Sequence, residues 1–227
     1  MGPNKASRSN ATAPAPRRRT QHERSEETRA RLLEAAVDCI NELGYASTTT
    51  TIIALRAGVS RGALQHQFRS RGDLLVALVE HIGRQISADV DSVPTGAPVQ
   101  DRIALCIRSY WRVYTSKAFV AATQILFGAK DDAALFGRIL EVMQTLEAVH
   151  DRYWERIFAD VGAPPARIAS ARHVALGALR GLAFRQQFQP GDAAWSDELD
   201  MLRDMIADSL IQGGPRTRRG DRGARTK

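Results

Sequence analysis

Between Arg61 and Gln67 the chain sets side chains suited to reading hydrogen-bond patterns rather than to breaking bonds. The Arg61 guanidinium can grip guanine O6 and N7 with two N–H groups, and Gln65 or Gln67 can read adenine N6 and N7 or hold a phosphate. Ser60, Gly62 and Ala63 are small enough for the backbone to come close to DNA, and the Ala63 methyl can touch a thymine methyl. Thr49, at the start of a short helical segment, can give a hydrogen bond to a phosphate with help from the helix dipole. Bond-breaking chemistry has no comparable constellation: there is no Gly-rich phosphate loop, no G-x-S-x-G elbow and no His-Glu-x-x-His. His22, His66, His81, His150 and His173 form no i, i+4 pair, so neither a metal site nor a cofactor is expected. Cys39 and Cys106 sit in apolar helical stretches and read as packing groups, with a redox sensor as the open alternative.

The elements that hold these residues read as helices throughout. Leu32, Ala36, Ile40 and Leu43 recur about one turn apart and predict an amphipathic helix over 26–43, capped by Ser25 and stopped by Gly44. Two short segments, Ile52 to Ala57 and Arg61 to Phe68, flank Gly58-Val59-Ser60 and make a helix-turn-helix unit. Ser70-x-x-Asp73 opens a further helix with Leu74, Leu78, Ile82 and Ile86 on one face. No acidic residue occurs from Leu43 to Gly72, whereas Arg56, Arg61, Arg69 and Arg71 do, so the unit reads as locally electropositive.

Gly44-Tyr45-Ala46-Ser47-Thr48-Thr49, Ile53-Ala54, Ala57 to Leu64, Phe68 to Arg71 and Leu74-Leu75 resemble the DNA-binding signature of TetR-type transcriptional regulators. The match runs from about Arg29 to Leu78 with its spacing intact. The resemblance implies that Arg61 to Gln67 is a recognition helix and that His66 and Arg71 contact phosphate. The sequence departs from the common pattern at Gln65 and Gln67, where many members carry an aromatic residue and a His. Arg71 stands where Lys is common, and Ile52 where many carry an acid.

Beyond this unit the chain predicts more helices: 101–115, 118–128, 132–161 ending before Pro164-Pro165, 167–188, and 197–211 capped by Ser196. The segment 167–188 is apolar on most sides and rich in small residues, and a helix apolar on more than one face must be buried on more than one face. The last two helices are therefore expected to form a homodimer surface through Ala175, Ala178, Leu182, Leu202, Ile206 and Leu210, in agreement with the resemblance. The resemblance further implies a small-molecule effector. Trp111, Tyr114, Phe127, Met143, His150, Trp154 and Phe184 can line an apolar pocket or simply form core, and His150 reads as a core histidine before a ligand contact.

The fold class expected is all-α: a disordered basic arm over 1–24, a helix-turn-helix DNA-binding domain over 25–90, a helical effector-binding and dimerisation domain over 98–212, and a disordered basic tail over 213–227. The formal charge of +7 lives in the ends: residues 1–25 and 213–227 each carry six basic residues against one acid, while 26–212 hold 20 basic against 23 acidic. Such arms reach phosphate backbones or serve solubility. The longest uncharged run, Ala118 to Ala129, is too short to span a bilayer, and the N-terminal residues lack the apolar run of a signal peptide, so a cytoplasmic protein, nucleoid-associated when bound to DNA, is expected. Together these features point to a non-enzymatic regulator, most often a repressor in the family resembled, acting on a double-stranded palindromic operator. A nonspecific architectural DNA-binding protein using its basic arms is the alternative, and a helical binding module that no longer reads DNA a third possibility.

Overall fold

A computed structural model describes residues 20–188 and 195–211, and the described residues form nine α-helices and one 3₁₀ turn, with no strand among them. Most of the arm expected over 1–24 and the tail over 213–227 lie outside the described residues. Helix α1 (Gln21–Ser47) starts inside the segment expected to be an unstructured arm, because Thr20 and Glu23 form a reciprocal capping box. The Thr20 hydroxyl accepts from the Glu23 N–H at 3.2 Å, and the Glu23 carboxylate accepts from the Thr20 N–H at 2.7 Å. The expected cap, Ser25, lies one turn inside the helix. Gly44 does break the regular helix, at φ +80°, and a short turn carries on to Ser47.

Helices α2 (Thr50–Arg56) and α3 (Arg61–Gln67) form the helix-turn-helix, and α4 (Arg71–Asp91) follows, capped by Ser70 through the Asp73 N–H at 3.1 Å. Helices α5 (Val99–Tyr114), α6 (Lys117–Gly128), α7 (Ala133–Ile157), α8 (Pro165–Phe188) and α9 (Ser196–Ile211) make the larger unit. The helix expected over 132–161 ends at Ile157, and Ala159–Val161 forms a 3₁₀ turn. Ser196 is the first helical residue of α9 rather than a residue before it.

One continuous hydrophobic core runs from Leu32, Leu33 and Ile40 of α1 through Leu74, Leu75 and Leu78 of α4 to Ile103 and Ile107 of α5 and Leu202, Ile206 and Leu210 of α9. The two expected domains thus share their packing, chiefly where α4 lies along α7 and α1 along α6. Burying the apolar faces of nine helices supplies the main driving force, at roughly 25 cal/mol per Å² of apolar surface. Arg102 of α5 is fully buried, and its guanidinium donates to the Asp160 carboxylate at 2.7 and 2.9 Å and to the Ile157 carbonyl, which ties the end of α7 to α5. Cys39 and Cys106 are buried free thiols; burial raises both thiol pKa values, that of Cys106 to about 12, which suits packing rather than thiolate chemistry.

Two close approaches depend on glycine. At Gly83 of α4 a Cβ would meet Leu146 Cδ1 of α7 at 2.1 Å, and at Gly128 it would meet the Tyr45 ring at 2.3 Å. Leu146 is the end of a flexible side chain and can yield. Tyr45 is held by a stacked arginine and has less freedom. Gly128→Ala should therefore lower stability by about 1–3 kcal/mol, the usual size of an overpacking strain. A lower denaturant midpoint at unchanged slope checks this, and an unchanged midpoint would show that the α1–α6 junction is loose.

Candidate nucleic-acid interface and effector cavity

The turn between α2 and α3 is built for a sharp corner. Gly58 has φ +63°, a left-handed value that costs a side chain about 1 kcal/mol or more. Its carbonyl accepts from Arg31 at 3.2 Å and that of Ala57 from the same guanidinium, so α1 clamps the turn. Arg31 was not singled out in the sequence, where it reads as one more charge on the exposed side of α1. Ala54, Leu64 and Phe68 are buried against α1 and α4, with Val59 half-buried beside them, which fixes the direction of α3.

Each short helix begins with a hydroxyl cap. Thr49 Oγ1 accepts from the Ile52 N–H at 3.3 Å and Ser60 Oγ accepts from the Ala63 N–H at 3.1 Å. A capping hydroxyl keeps its own proton, so both residues remain able to donate to a phosphate. Arg61, Gly62, Gln65 and His66 are exposed, and Arg61 has no partner among the described residues. A Cβ at Gly62 would meet only Ser60 Oγ, at 3.9 Å, so the surface there is open on its outer side. Ala63 is half-buried, with its amide taken by the Ser60 cap.

Two of the expected contacts turn inward. The Gln67 amide donates to Ser25 Oγ at 2.8 Å and to the Ser25 carbonyl at 3.3 Å, so it joins α3 to α1 instead of facing outward. The Arg71 guanidinium donates to the Thr48 carbonyl at 3.0 Å and the Tyr45 carbonyl at 2.5 Å, and stacks 4.3 Å from the Tyr45 ring centroid. It satisfies carbonyls left open where α1 ends, a need set by backbone geometry that residue type alone does not reveal. The electropositive patch is correspondingly smaller than expected. Arg56 is paired with Glu42 through two hydrogen bonds of 2.8 and 2.6 Å, which leaves Arg61 and Arg69 as the exposed arginines of the unit without an acidic partner among the described residues.

Helix α4 runs from this corner into the wall of a cavity of about 610 Å³, lined by α4, α6, α7 and α8 and by Tyr114 at the end of α5. Of the residues expected to form a pocket, Tyr114, Phe127, Met143, His150 and Phe184 do line it. Trp111 and Trp154 do not: Trp154 is 0 % exposed and packs on Phe158 at 5.1 Å, and Trp111 packs half-buried against the core. Val79, Ile82 and Ile86 of α4 and Phe119 and Leu126 of α6 complete an apolar lining that periodicity alone could not separate from core. Phe127 and Phe184, each 61 % exposed, stand at its opening.

One wall is polar. Glu147 of α7 lies between Arg172 (2.6 Å) and Arg180 (3.2 Å) of α8, and Arg172 also holds Asp151 at 2.8 Å. Burial works against the Glu147 charge, but the two guanidinium groups keep its pKa below the usual value. His150 is both a core histidine and a lining residue. Ser87 gives its hydroxyl proton to the Gly83 carbonyl at 3.0 Å, so at 2.9 Å it accepts from His150 Nε2–H and leaves Nδ1 as an acceptor. Burial, reinforced by the Arg172 charge, lowers the His150 pKa to about 4.

Within the chain, the residues expected at a dimer surface differ in burial. Ala175, Leu202, Ile206 and Leu210 are buried within the chain, and Ala178 and Leu182 are half-buried. The exposed apolar line on α8 is instead Val174, Gly177, Gly181, Phe184 and Phe188, with Met201 and Met205 exposed on α9. A helix apolar on most sides left the inner and outer lines indistinguishable in sequence.

Residues 32–78 match the family model for bacterial regulatory proteins of the tetR family. The chain is 33% identical over 138 residues to an HTH-type transcriptional regulator of Mycobacterium tuberculosis, covering 59% of this chain and 69% of that one. It is 28% identical over 176 residues to the HTH-type transcriptional regulator CymR of Pseudomonas putida, covering 77% and 87%. The crystal structure of the regulator FadR from Bacillus subtilis in complex with stearoyl-CoA superposes with a TM-score of 0.60 at 19% identity, over 82% of this chain and 98% of that one. An N-terminal helix-turn-helix with this spacing, on this all-helical frame, places the chain in the TetR family of transcriptional regulators. Among the described residues no helix is long and apolar enough to cross a membrane.

Two outcomes follow from the inward contacts. Arg71→Ala should destabilise the fold by about 1–3 kcal/mol, because it leaves two carbonyls at the α1 terminus without donors; equal thermal midpoints for the variant and the parent would refute that role. His150 has a folded pKa of about 4 against an ordinary 6.5, so below pH 6.5 the unfolded chain binds a proton that the fold refuses. Stability should thus fall as the pH drops from 6.5 to 4, by roughly 2–3 kcal/mol from this group. Denaturant titrations across that range in the parent and in His150→Gln, which cannot charge, should differ by that slope.

Proposed function

We propose that this chain is a ligand-responsive repressor that binds a palindromic operator as a homodimer and leaves it when a small, largely apolar effector enters the cavity. One observation carries the reading: α4 begins at the corner that fixes α3 and supplies Val79, Ile82, Gly83 and Ile86 to the wall of an apolar cavity of about 610 Å³. A ligand filling that space presses on the helix that sets the direction of the exposed Arg61 face. The volume suits a drug-sized ligand. That the regulator FadR of Bacillus subtilis was crystallised with stearoyl-CoA supports the same use here.

In this reading Arg61 and Gln65 meet base edges, the hydroxyls of Thr49 and Ser60 and the ring of His66 meet phosphate, and Gly62 and Ala63 allow close approach. Gln67 and Arg71 hold the reading head in place from behind. The line Val174, Gly177, Gly181 and Phe188 packs on its counterpart in a second copy, with the glycines letting two α8 helices approach. A two-fold dimer sets two α3 helices one DNA turn, about 34 Å, or a near multiple apart, which asks for a palindrome. Acting on a chromosomal operator, such a protein works in the cytoplasm and carries out no catalysis.

Sequencing genomic fragments selected on the full-length protein at about 150 mM salt should return one enriched palindrome. Arg61→Ala should weaken that site by roughly 1–3 kcal/mol and relax one base pair per half-site, while affinity for random DNA stays level. Enrichment without sequence preference, lost on deletion of residues 1–19, would favour the architectural alternative, to which the five basic residues of that segment lend support.

A further inference from the structure

The cavity's polar wall is part of an alternating series: Asp151, Arg172, Glu147 and Arg180 alternate in sign, with contacts of 2.8, 2.6 and 3.2 Å, and Glu147 and Arg180 are the two that line the cavity. Arg172 is 0 % exposed and fixed between two acids, so it is not available to anything that enters. Glu147 faces two guanidinium groups, Arg172 at 2.6 Å and Arg180 at 3.2 Å, so the charge around it is net positive and a cationic ligand would be repelled by both. The series ends on Arg180, which lines the cavity, has a side chain 43% exposed, and holds Glu147 by its longest contact. A guanidinium carries five N–H donors, and Glu147 is the one acid against this one among the described residues.

Resting on the effector reading above, we propose that the cavity takes an apolar molecule ending in a single carboxylate, which continues the alternation by pairing with Arg180. The aliphatic or aromatic body lies along Ile82, Ile86, Leu126, Phe127 and Met143, and the carboxylate faces α8. Arg180 can turn to the ligand without leaving Glu147 unpaired, since Arg172 still holds it at 2.6 Å. That second partner removes the main cost of such an exchange, which is an uncompensated charge in a partly buried site. No compensating cation is needed on the ligand, and a ligand cation would meet the repulsion of two guanidinium groups against the one Glu147 carboxylate. Arg180 is thus a specificity-determining residue, distinguishing an acid from an alcohol or an amine of the same body.

Calorimetric titration of the full-length protein with dodecanoate, dodecanol and dodecylamine, the two ions below their micelle concentrations and the alcohol below its solubility limit, tests this. The acid should bind at least about tenfold more tightly than either of the others, the size of one charge-assisted hydrogen bond. In Arg180→Gln that preference should vanish while dodecanol binds as before. In Glu147→Gln, which frees Arg180, the acid should bind more tightly. Equal binding of acid and alcohol to the parent, or a preference that survives in Arg180→Gln, would overturn the carboxylate assignment while leaving the effector cavity standing. Tightest binding of the amine would reverse its sign. Failure of all three probes to bind would overturn both the assignment and the effector cavity.

Discussion

The Arg71 guanidinium is the joint on which the reading head depends. It sits at the first turn of α4, reaches back to the Thr48 and Tyr45 carbonyls where α1 ends, and lies over the Tyr45 ring, 4.3 Å from its centroid. The same ring is packed against Gly128 at the end of α6, close enough that a Cβ there would clash. Three helices therefore meet at one aromatic ring, and the short helices α2 and α3 hang between the two that Arg71 joins. Two seven-residue helices have too few internal hydrogen bonds to stand alone, so their orientation comes entirely from such contacts. Arg31 on the Gly58 turn and Gln67 on Ser25 complete the frame from the α1 side.

The same economy governs the cavity. Its walls are apolar helices that could have closed on one another. Facing α7 at Gly83, α4 comes as near as it can, with Leu146 in the space of the absent side chain. The ion series on α7 and α8 and the His150–Ser87 bond occupy one end. An opening walled by Phe127 and Phe184 remains, and exposed aromatic rings at the mouth of an apolar space mark a binding site more strongly than a buried ring does.

The fold was legible because its signals are local. The 3.6-residue period, the Ser-x-x-Asp cap and the Gly58 turn each reside in a few neighbouring residues, and the helices lie where these put them, apart from end shifts such as the five-residue advance of α1 to its Thr20 cap. The outer face of α3 was legible for the same reason: Arg61, Gln65 and His66 do lie exposed. What sequence could not reveal was side-chain direction. Gln67 and Arg71 have residue types that suit DNA, yet their partners are 42 and 26 residues away in the chain, at Ser25 and Tyr45. Trp154 and Met143 share a helix and an apolar character, and only the packing of α5 and α8 around α7 buries the first and leaves the second lining a cavity. On α8 the inner line through Ala175 and Leu179 and the outer line through Val174 and Gly181 differ by one residue, about 100° of helix, and small apolar residues fill both.

That near-symmetry of α8 bears on how the two ends of the molecule are coupled. Phe184 belongs to the exposed outer line and also lines the cavity, and Arg180, one turn earlier, closes the polar wall. A ligand can change an equilibrium only through contacts that differ between two states. On the proposed reading, an occupant of the cavity makes such contacts with α4, which begins at the Arg71 joint, and with α8, which carries the face toward a second copy. Displacement of α4 alone would tilt one reading head, and displacement of α8 alone would turn one whole subunit against the other. A molecule that bridges the apolar wall of α4 and the guanidinium of α8 fixes the distance between them, and with it the separation of the two Arg61 faces across the dimer. The effector's length, more than its affinity for either wall, then decides whether the operator is held or released.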